Sequence, residues 1–249
     1  MILKAAKAFG YMFRSMILFI LRKLFYPAAL DEVLEKDYLN WGRYVLRVFD
    51  AGLSVEGKEN IPPLDGRRLI VVSNHQSQLD IPTLVTVLNR RLGFVAKKEL
   101  ASIPLLNYWM RQIGCVVIDR SDKSGSHRAL EKAAKGMGIH PLVVFPEGTR
   151  SKDGKLLPIK LGGFRLALLA GARILPILIE GTRDAGENRS KGARLPIPVK
   201  VRVFPALDTL GMDDGKASLN KLKDYVDACW RSPDSHEQAG SQVADARPR

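Results

Sequence analysis

The chain has 249 residues, 46% apolar and 26% charged, with a formal net charge of +13. That composition supports one sizeable core plus an appendage, and it excludes a polytopic membrane protein or a wholly disordered chain. The basic excess points to an anionic partner: a membrane surface, a phosphorylated substrate or nucleic acid.

Residues 1–26 carry Lys4, Lys7, Arg14, Arg22 and Lys23, and no acid precedes Asp31. Between these cations lie Phe9, Met12, Phe13, Met16, Ile17, Phe19, Ile20, Leu24 and Phe25. On a helix, Lys4, Lys7, Arg14, Ser15 and Arg22 fall in one arc of roughly 100°, and apolar side chains fill most of the rest. A narrow basic stripe on a wide apolar face suits a helix lying in the headgroup layer of an anionic bilayer. Arg14 interrupts the apolar stretch and no A-x-A site follows, against a cleaved signal peptide. The run from Met16 to Leu21 is far shorter than the ~20 residues of a spanning helix, unless its flanking arginines snorkel. A second helix is expected over 31–50, separated from the first by Pro27.

After Gly57 the pattern becomes α/β. Leu69–Ser73 is a continuous apolar run, as in a strand covered on both faces. A helix over 81–88, a strand over 94–97, a helix over 105–112 and a strand over 115–118 follow. Leu130, Ala133, Ala134 and Met137 keep helical spacing. Next come a strand at 142–145, a helix at 164–170 and a strand at 174–179. Val199, Val201 and Val203 alternate with Lys200 and Arg202, so that strand has one wet face or lies at an edge. A closing helix is expected over 216–230. Alternation of this kind predicts a mostly parallel sheet layered with helices, preceded by the amphipathic two-helix element. The expected division is a membrane-association element over 1–52, an α/β domain over 53–231, and a polar, disordered tail over 232–249.

Cys115 and Cys229 belong to no C-x-x-C pair; both read as small buried hydrophobes, and a reducing, cytosol-facing location fits them. Of the four histidines, His75 stands apart, because it ends the 69–73 strand and Asp80 follows five residues later. Ligands of parallel sheets bind at the carboxyl ends of strands. A carboxylate folded back onto Nδ1–H would fix the tautomer and present Nε2 as a base. The competing role for Asp80 is to cap the next helix.

The second cluster, Phe145-Pro146-Glu147-Gly148-Thr149-Arg150-Ser151, follows another buried strand and opens on the same sheet edge. Glycine permits close backbone approach, and arginine offers a planar fork for phosphate. Glu147 is expected to accept hydrogen bonds from Arg150 or from substrate hydroxyls, the alternative being a solvated turn with an exposed ion pair. Lys97, Lys98, Arg120 and Lys160 bring further cations to this edge, and phosphate in the ligand is the economical account of their convergence. No G-x-S-x-G, G-x-x-x-x-G-K-[ST] or G-x-G-x-x-G occurs, against a serine nucleophile, nucleotide hydrolysis and dinucleotide binding. No recognition element for nucleic acid accompanies the charge.

NHQSQLD (74–80) followed by FPEGTRS (145–151) resembles the glycerolipid acyltransferase family, in particular its bacterial 1-acyl-glycerol-3-phosphate acyltransferases. VAKKEL (95–100), IP (103–104), Gly114, IDR (118–120), IKLGGF (159–164) and Leu175-Pro176 extend the likeness over roughly 54–205. Asn107 departs from it, standing where many relatives carry glycine. The resemblance implies that His75 is the general base and Asp80 its orienting partner. It further implies an acceptor-phosphate site of Glu147, Gly148, Thr149 and Arg150, assisted by Arg120 and Lys160, with Lys97 contacting oxyanion or phosphate. The implied reaction moves an acyl group from acyl-CoA or acyl-ACP to the sn-2 hydroxyl of lysophosphatidic acid, without metal or cofactor, at the cytoplasmic face of the inner membrane. Another lysophospholipid, glycerol 3-phosphate or a lyso-ornithine lipid is the alternative acceptor.

Overall fold

The computed structural model describes residues 2–25, 30–119, 123–187 and 195–231. Two long helices, α1 (Ile2–Phe25) and α2 (Leu30–Val48), lead into β1 (Ala51–Glu56) and β2 (Leu69–Ser73). Then follow α3 (Asp80–Leu88), β3 (Gly93–Lys97), α4 (Pro104–Gln112), β4 (Val116–Ile118), α5 (Lys123–Gly136) and β5 (Leu142–Val144). The chain continues through α6 (Gly162–Ala170), β6 (Arg173–Glu180), α7 (Thr182–Glu187), β7 (Ile197–Val203) and α8 (Lys216–Arg231).

These strands form one seven-stranded sheet in the order β1-β7-β6-β2-β5-β3-β4. β6, β2, β5, β3 and β4 are mutually parallel, while β7 runs antiparallel to β6 and parallel to β1. The apolar runs explain the centre. All five residues of β2 are buried, with Val71 packing into the core on one face and Ile70 and Val72 into the core on the other. α1, α2, α3 and α4 cover the first face through Phe19, Tyr38, Leu84 and Trp109. α5, α6 and α8 cover the second through Leu130, Phe164 and Leu222. Of the two cysteines expected to be buried, Cys229 is and Cys115 is half-buried; desolvation pushes their thiols up, to about 11 for Cys115 and about 12 for Cys229.

The mostly parallel α/β expectation holds, with one difference of detail. The sheet starts before Gly57, at β1, whose six residues are none of them fully buried and therefore show no continuous apolar run. β7 meets the first of its two expected alternatives: it lies between β1 and β6 with one wet face, where Lys200 and Arg202 pair with Glu56.

α1 also differs from the expected arc. Lys4 turns inward to an ion pair with Asp50 at 2.7 Å, Ser15 is buried, Tyr11 stacks on Tyr44, and Phe19 meets Trp109 edge-on. The opposite face exposes Leu3, Phe9, Phe13, Ile17, Ile20 and Leu21, with Lys7 and Arg14 also exposed. The helix thus has two apolar faces, one for α2 and the core and one open. Pro27, Arg120 and the 232–249 tail lie outside the described residues.

Candidate active site

Five parallel strands deliver their carboxyl ends to one edge: β2 to His75, β5 to Phe145, β3 to Lys97, β4 to Asp119 and β6 to Thr182. Two short loops meet there. The one after β2 is pinned at its start by Asn74, whose Nδ2 donates to the Ile179 carbonyl at 2.9 Å and whose Oδ1 accepts the Ile179 N–H at 2.8 Å. The loop after β5 is joined to it by the Ser151 N–H, which donates to the His75 carbonyl at 2.8 Å. The histidine loop and the glycine–arginine turn therefore form one contiguous surface.

Asp80 is fully buried and lies 2.7 Å from His75 Nδ1. Its Oδ2 also accepts the N–H groups of Gln76 at 2.8 Å and Ser77 at 2.9 Å, and its Oδ1 accepts the Thr182 hydroxyl. Apart from Thr182, its partners lie in the loop before α3, so Asp80 organises that loop and the imidazole rather than capping the helix. A carboxylate that only accepts requires the proton on Nδ1, which leaves Nε2 with its lone pair free. The imidazole is 17% exposed and stacks on Phe145, with centroids 4.0 Å apart and planes 16° apart. The ring is thus held on one face by packing and at Nδ1 by hydrogen bonding.

Glu147 is placed otherwise than the sequence led us to expect. It is 2% exposed, and its Oε1 faces the His75 N–H at 3.4 Å rather than Arg150 or the cleft. Among the described residues Oε2 has no partner. Burial, reinforced by the Asp80 carboxylate, lifts its pKa to about 7 against the opposing N–H bonds of His75 and Leu157. In sequence a glutamate in a basic loop reads as a surface partner for arginine, and nothing local marks this one as buried.

Gly148 adopts φ +75°, and the Lys160 ammonium sits 2.9 Å from where a Cβ would be, so the missing side chain lets that lysine lie against the turn. The Lys160 N–H also donates to the Pro146 carbonyl at 3.0 Å. Thr149, Arg150 and Lys160 are exposed. Lys97 ends β3, one strand from β5, with its ammonium 3.3 Å from Glu99. A cavity of about 580 Å³ adjoins the turn, walled mostly by apolar groups including Val95, Ile118, Leu130 and Leu219, with Gly148, Lys160 and Arg165 supplying polar atoms. The structure brings His75, Asp80, Glu147, Gly148 and Lys160 together, leaves Thr149 and Arg150 at the open rim, and sets Lys97 further along the edge. Thr182, in the short α7, was missed: nothing local distinguishes that threonine. Among the described residues no group of three or more His, Cys, Asp or Glu could hold a metal ion.

A model of the family described as Acyltransferase matches residues 52–180. A 1-acyl-sn-glycerol-3-phosphate acyltransferase of Limnanthes douglasii is 32% identical over 187 residues, 74% of this chain and 63% of the relative. The mouse 1-acyl-sn-glycerol-3-phosphate acyltransferase alpha is 34% identical over 69% of this chain and 61% of its own length. The chain thus spans a little under two thirds of such relatives. The crystal structure of the 1-acyl-sn-glycerophosphate acyltransferase PlsC of Thermotoga maritima aligns with a TM-score of 0.66 at 26% identity, covering 100% of this chain and 99% of that one.

Proposed function

Since the chain belongs to the acyltransferase family, we propose that it moves a fatty-acyl group from a thioester to the sn-2 hydroxyl of 1-acyl-sn-glycerol 3-phosphate, giving phosphatidic acid. The observation that carries this reading is the His75–Asp80 pair, at 2.7 Å, bonded through its own backbone to the turn that presents Gly148 and Arg150. His75 Nε2 takes the proton as the acceptor hydroxyl attacks the thioester carbonyl, and the thiolate leaves. The Asp80 carboxylate, bonded to Nδ1–H, stabilises the imidazolium so formed, and Phe145 lies against the ring's face. Attack is direct, so no acyl-enzyme is required.

Arg150, Thr149 and Lys160, exposed around the Gly148 turn, suit the acceptor phosphate, and anchoring that group would hold the hydroxyl near the base. Lys97 and backbone amides of the edge are the candidates for oxyanion stabilisation. Arg120 keeps its assignment as a phosphate helper from the sequence motif alone. Glu147 serves this site from below, by tying its turn to the His75 backbone.

The donor is proposed to be acyl-CoA or acyl-ACP, and no resident cofactor enters the scheme. The second partner is the bilayer. No described helix is long and apolar enough to cross a membrane. The open face of α1, with Phe9, Phe13, Ile17 and Ile20 beside Lys7 and Arg14, fits a helix lying in the headgroup layer, and the cytoplasmic leaflet suits its charge. A panel of acceptors with labelled acyl-CoA and acyl-ACP tests the substrate assignment. Transfer to lysophosphatidic acid should exceed that to glycerol 3-phosphate, lysophosphatidylcholine and a lyso-ornithine lipid by at least tenfold. Equal or better transfer to an acceptor without a phosphomonoester would overturn it.

A further inference from the structure

The function proposed above leaves one buried hydroxyl beside the dyad without a task. Thr182 is fully buried, and its Oγ1 donates to Asp80 Oδ1 across 102 residues of sequence. The other oxygen of that carboxylate, Oδ2, is already shared by the His75 ring and two loop N–H groups. We infer that Thr182 is a positioning residue for the acyl-transfer dyad, fixing the Asp80 carboxylate in the ring-facing orientation that His75 needs; this rests on His75 being the base.

A carboxylate with no solvent exposure must have both oxygens satisfied to stay charged. Take away the hydroxyl, and Oδ1 becomes a bare buried anion. The carboxylate then turns toward another donor. It no longer holds Nδ1–H in line or stabilises the imidazolium formed as the acceptor loses its proton.

Local structure shows that this contact is set up by the fold. β6 runs parallel to β2 and ends at the same edge. Gly181 then turns the chain at φ +84°, where a Cβ would fall 2.2 Å from the Pro198 carbonyl oxygen, so only glycine passes the corner. Thr182 is the next residue. One turn further along α7, Gly186 faces the Ser77 hydroxyl so closely that a Cβ would come within 2.6 Å of it. Asn74 has already tied the histidine loop to Ile179 by two hydrogen bonds. The β6–α7 corner thus grips the loop at its start, beneath its carboxylate and along its side.

The test compares Thr182→Val, Thr182→Ser and Thr209→Val in the full-length protein. Thr209 is a buried threonine whose hydroxyl donates to the Ala172 carbonyl, remote from the dyad, and it controls for loss of any buried hydroxyl. Thr182→Val should lower kcat by about ten- to a hundredfold, the usual effect of removing a hydrogen bond to a charged group, with KM for either substrate within twofold. Thr182→Ser should restore most of kcat, and Thr209→Val should leave it unchanged. Proton NMR supplies a readout independent of turnover: the far-downfield His75 Nδ1–H resonance should persist in the serine variant and be lost or shifted in the valine variant. If Thr182→Val does not fold, Thr182→Ala against Thr182→Ser gives the same contrast. A valine variant with unchanged kcat and an unchanged Nδ1–H signal would overturn the assignment. Were the wild-type protein to transfer no acyl group, the proposed function would fall, while the resonance would still decide the role of Thr182.

Discussion

Replacing Glu147 by glutamine should stabilise the protein at alkaline pH and change little in acid. The buried carboxyl holds its proton up to about pH 7, whereas the same side chain in the unfolded chain has the ordinary value of 4.5. Because the native value is the higher one, its favourable contribution is complete below the unfolded value. It is lost as pH rises through about 7, since the unfolded state releases the proton first. With these two values, the native state forfeits about 1 kcal/mol at pH 5 and about 3 kcal/mol at pH 8. Glutamine mimics the protonated acid: its carbonyl can still face the His75 N–H, and it never ionises. Urea unfolding of wild type and Glu147→Gln at pH 5 and pH 8 measures the difference. The variant should gain about 2 kcal/mol more, relative to wild type, at pH 8 than at pH 5. A difference that is flat from pH 5 to pH 8 would show that the native Glu147 carboxyl loses its proton no later than in the unfolded chain, contrary to its burial.

Two further outcomes follow from the cleft and from α1. Arg150→Ala should raise KM for lysophosphatidic acid by about ten- to a hundredfold with little change in kcat, as expected when a charge-assisted contact to phosphate is removed. An equal loss with an unphosphorylated acceptor would refute that role. Phe13→Asp and Ile17→Asp alter side chains that are 43% and 40% exposed, so melting temperature should be nearly unchanged. Partitioning onto anionic vesicles should weaken by tenfold or more in each, given the ~1.5–3 kcal/mol from burying such a side chain; undiminished flotation would remove α1 from the membrane contact.

The elements read correctly from sequence were those with strong local signals. The LIVVS run reads as a strand covered on both faces, and with it comes the position of His75 at a strand end. The helical stripe of Leu130, Ala133 and Ala134 and the alternation of Val199, Val201 and Val203 are likewise visible one residue at a time. What escaped depends on contacts that sequence spacing does not encode. β1 is a short edge strand with no fully buried residue; Ala51, Leu53 and Val55 alternate with Gly52, Ser54 and Glu56, a pattern too short and too weakly apolar to stand out from the end of α2. Lys4 and Ser15 fell in a plausible lipid-facing arc, but α1 has two apolar faces, and only the position of α2 says which is taken. Glu147 and Thr182 look like ordinary polar residues until the β2–β5 and β2–β6 pairings place them beside His75 and Asp80.

In the proposed reaction the His75 imidazole is the base for acyl transfer to the acceptor hydroxyl. Purified wild-type and His75→Ala proteins, matched in melting temperature and vesicle binding, can be assayed for transfer of labelled acyl groups to lysophosphatidic acid. In the variant kcat should fall by about 10²–10⁴-fold, the contribution typical of a positioned base. A His75→Ala enzyme that forms phosphatidic acid at close to the wild-type rate would contradict it.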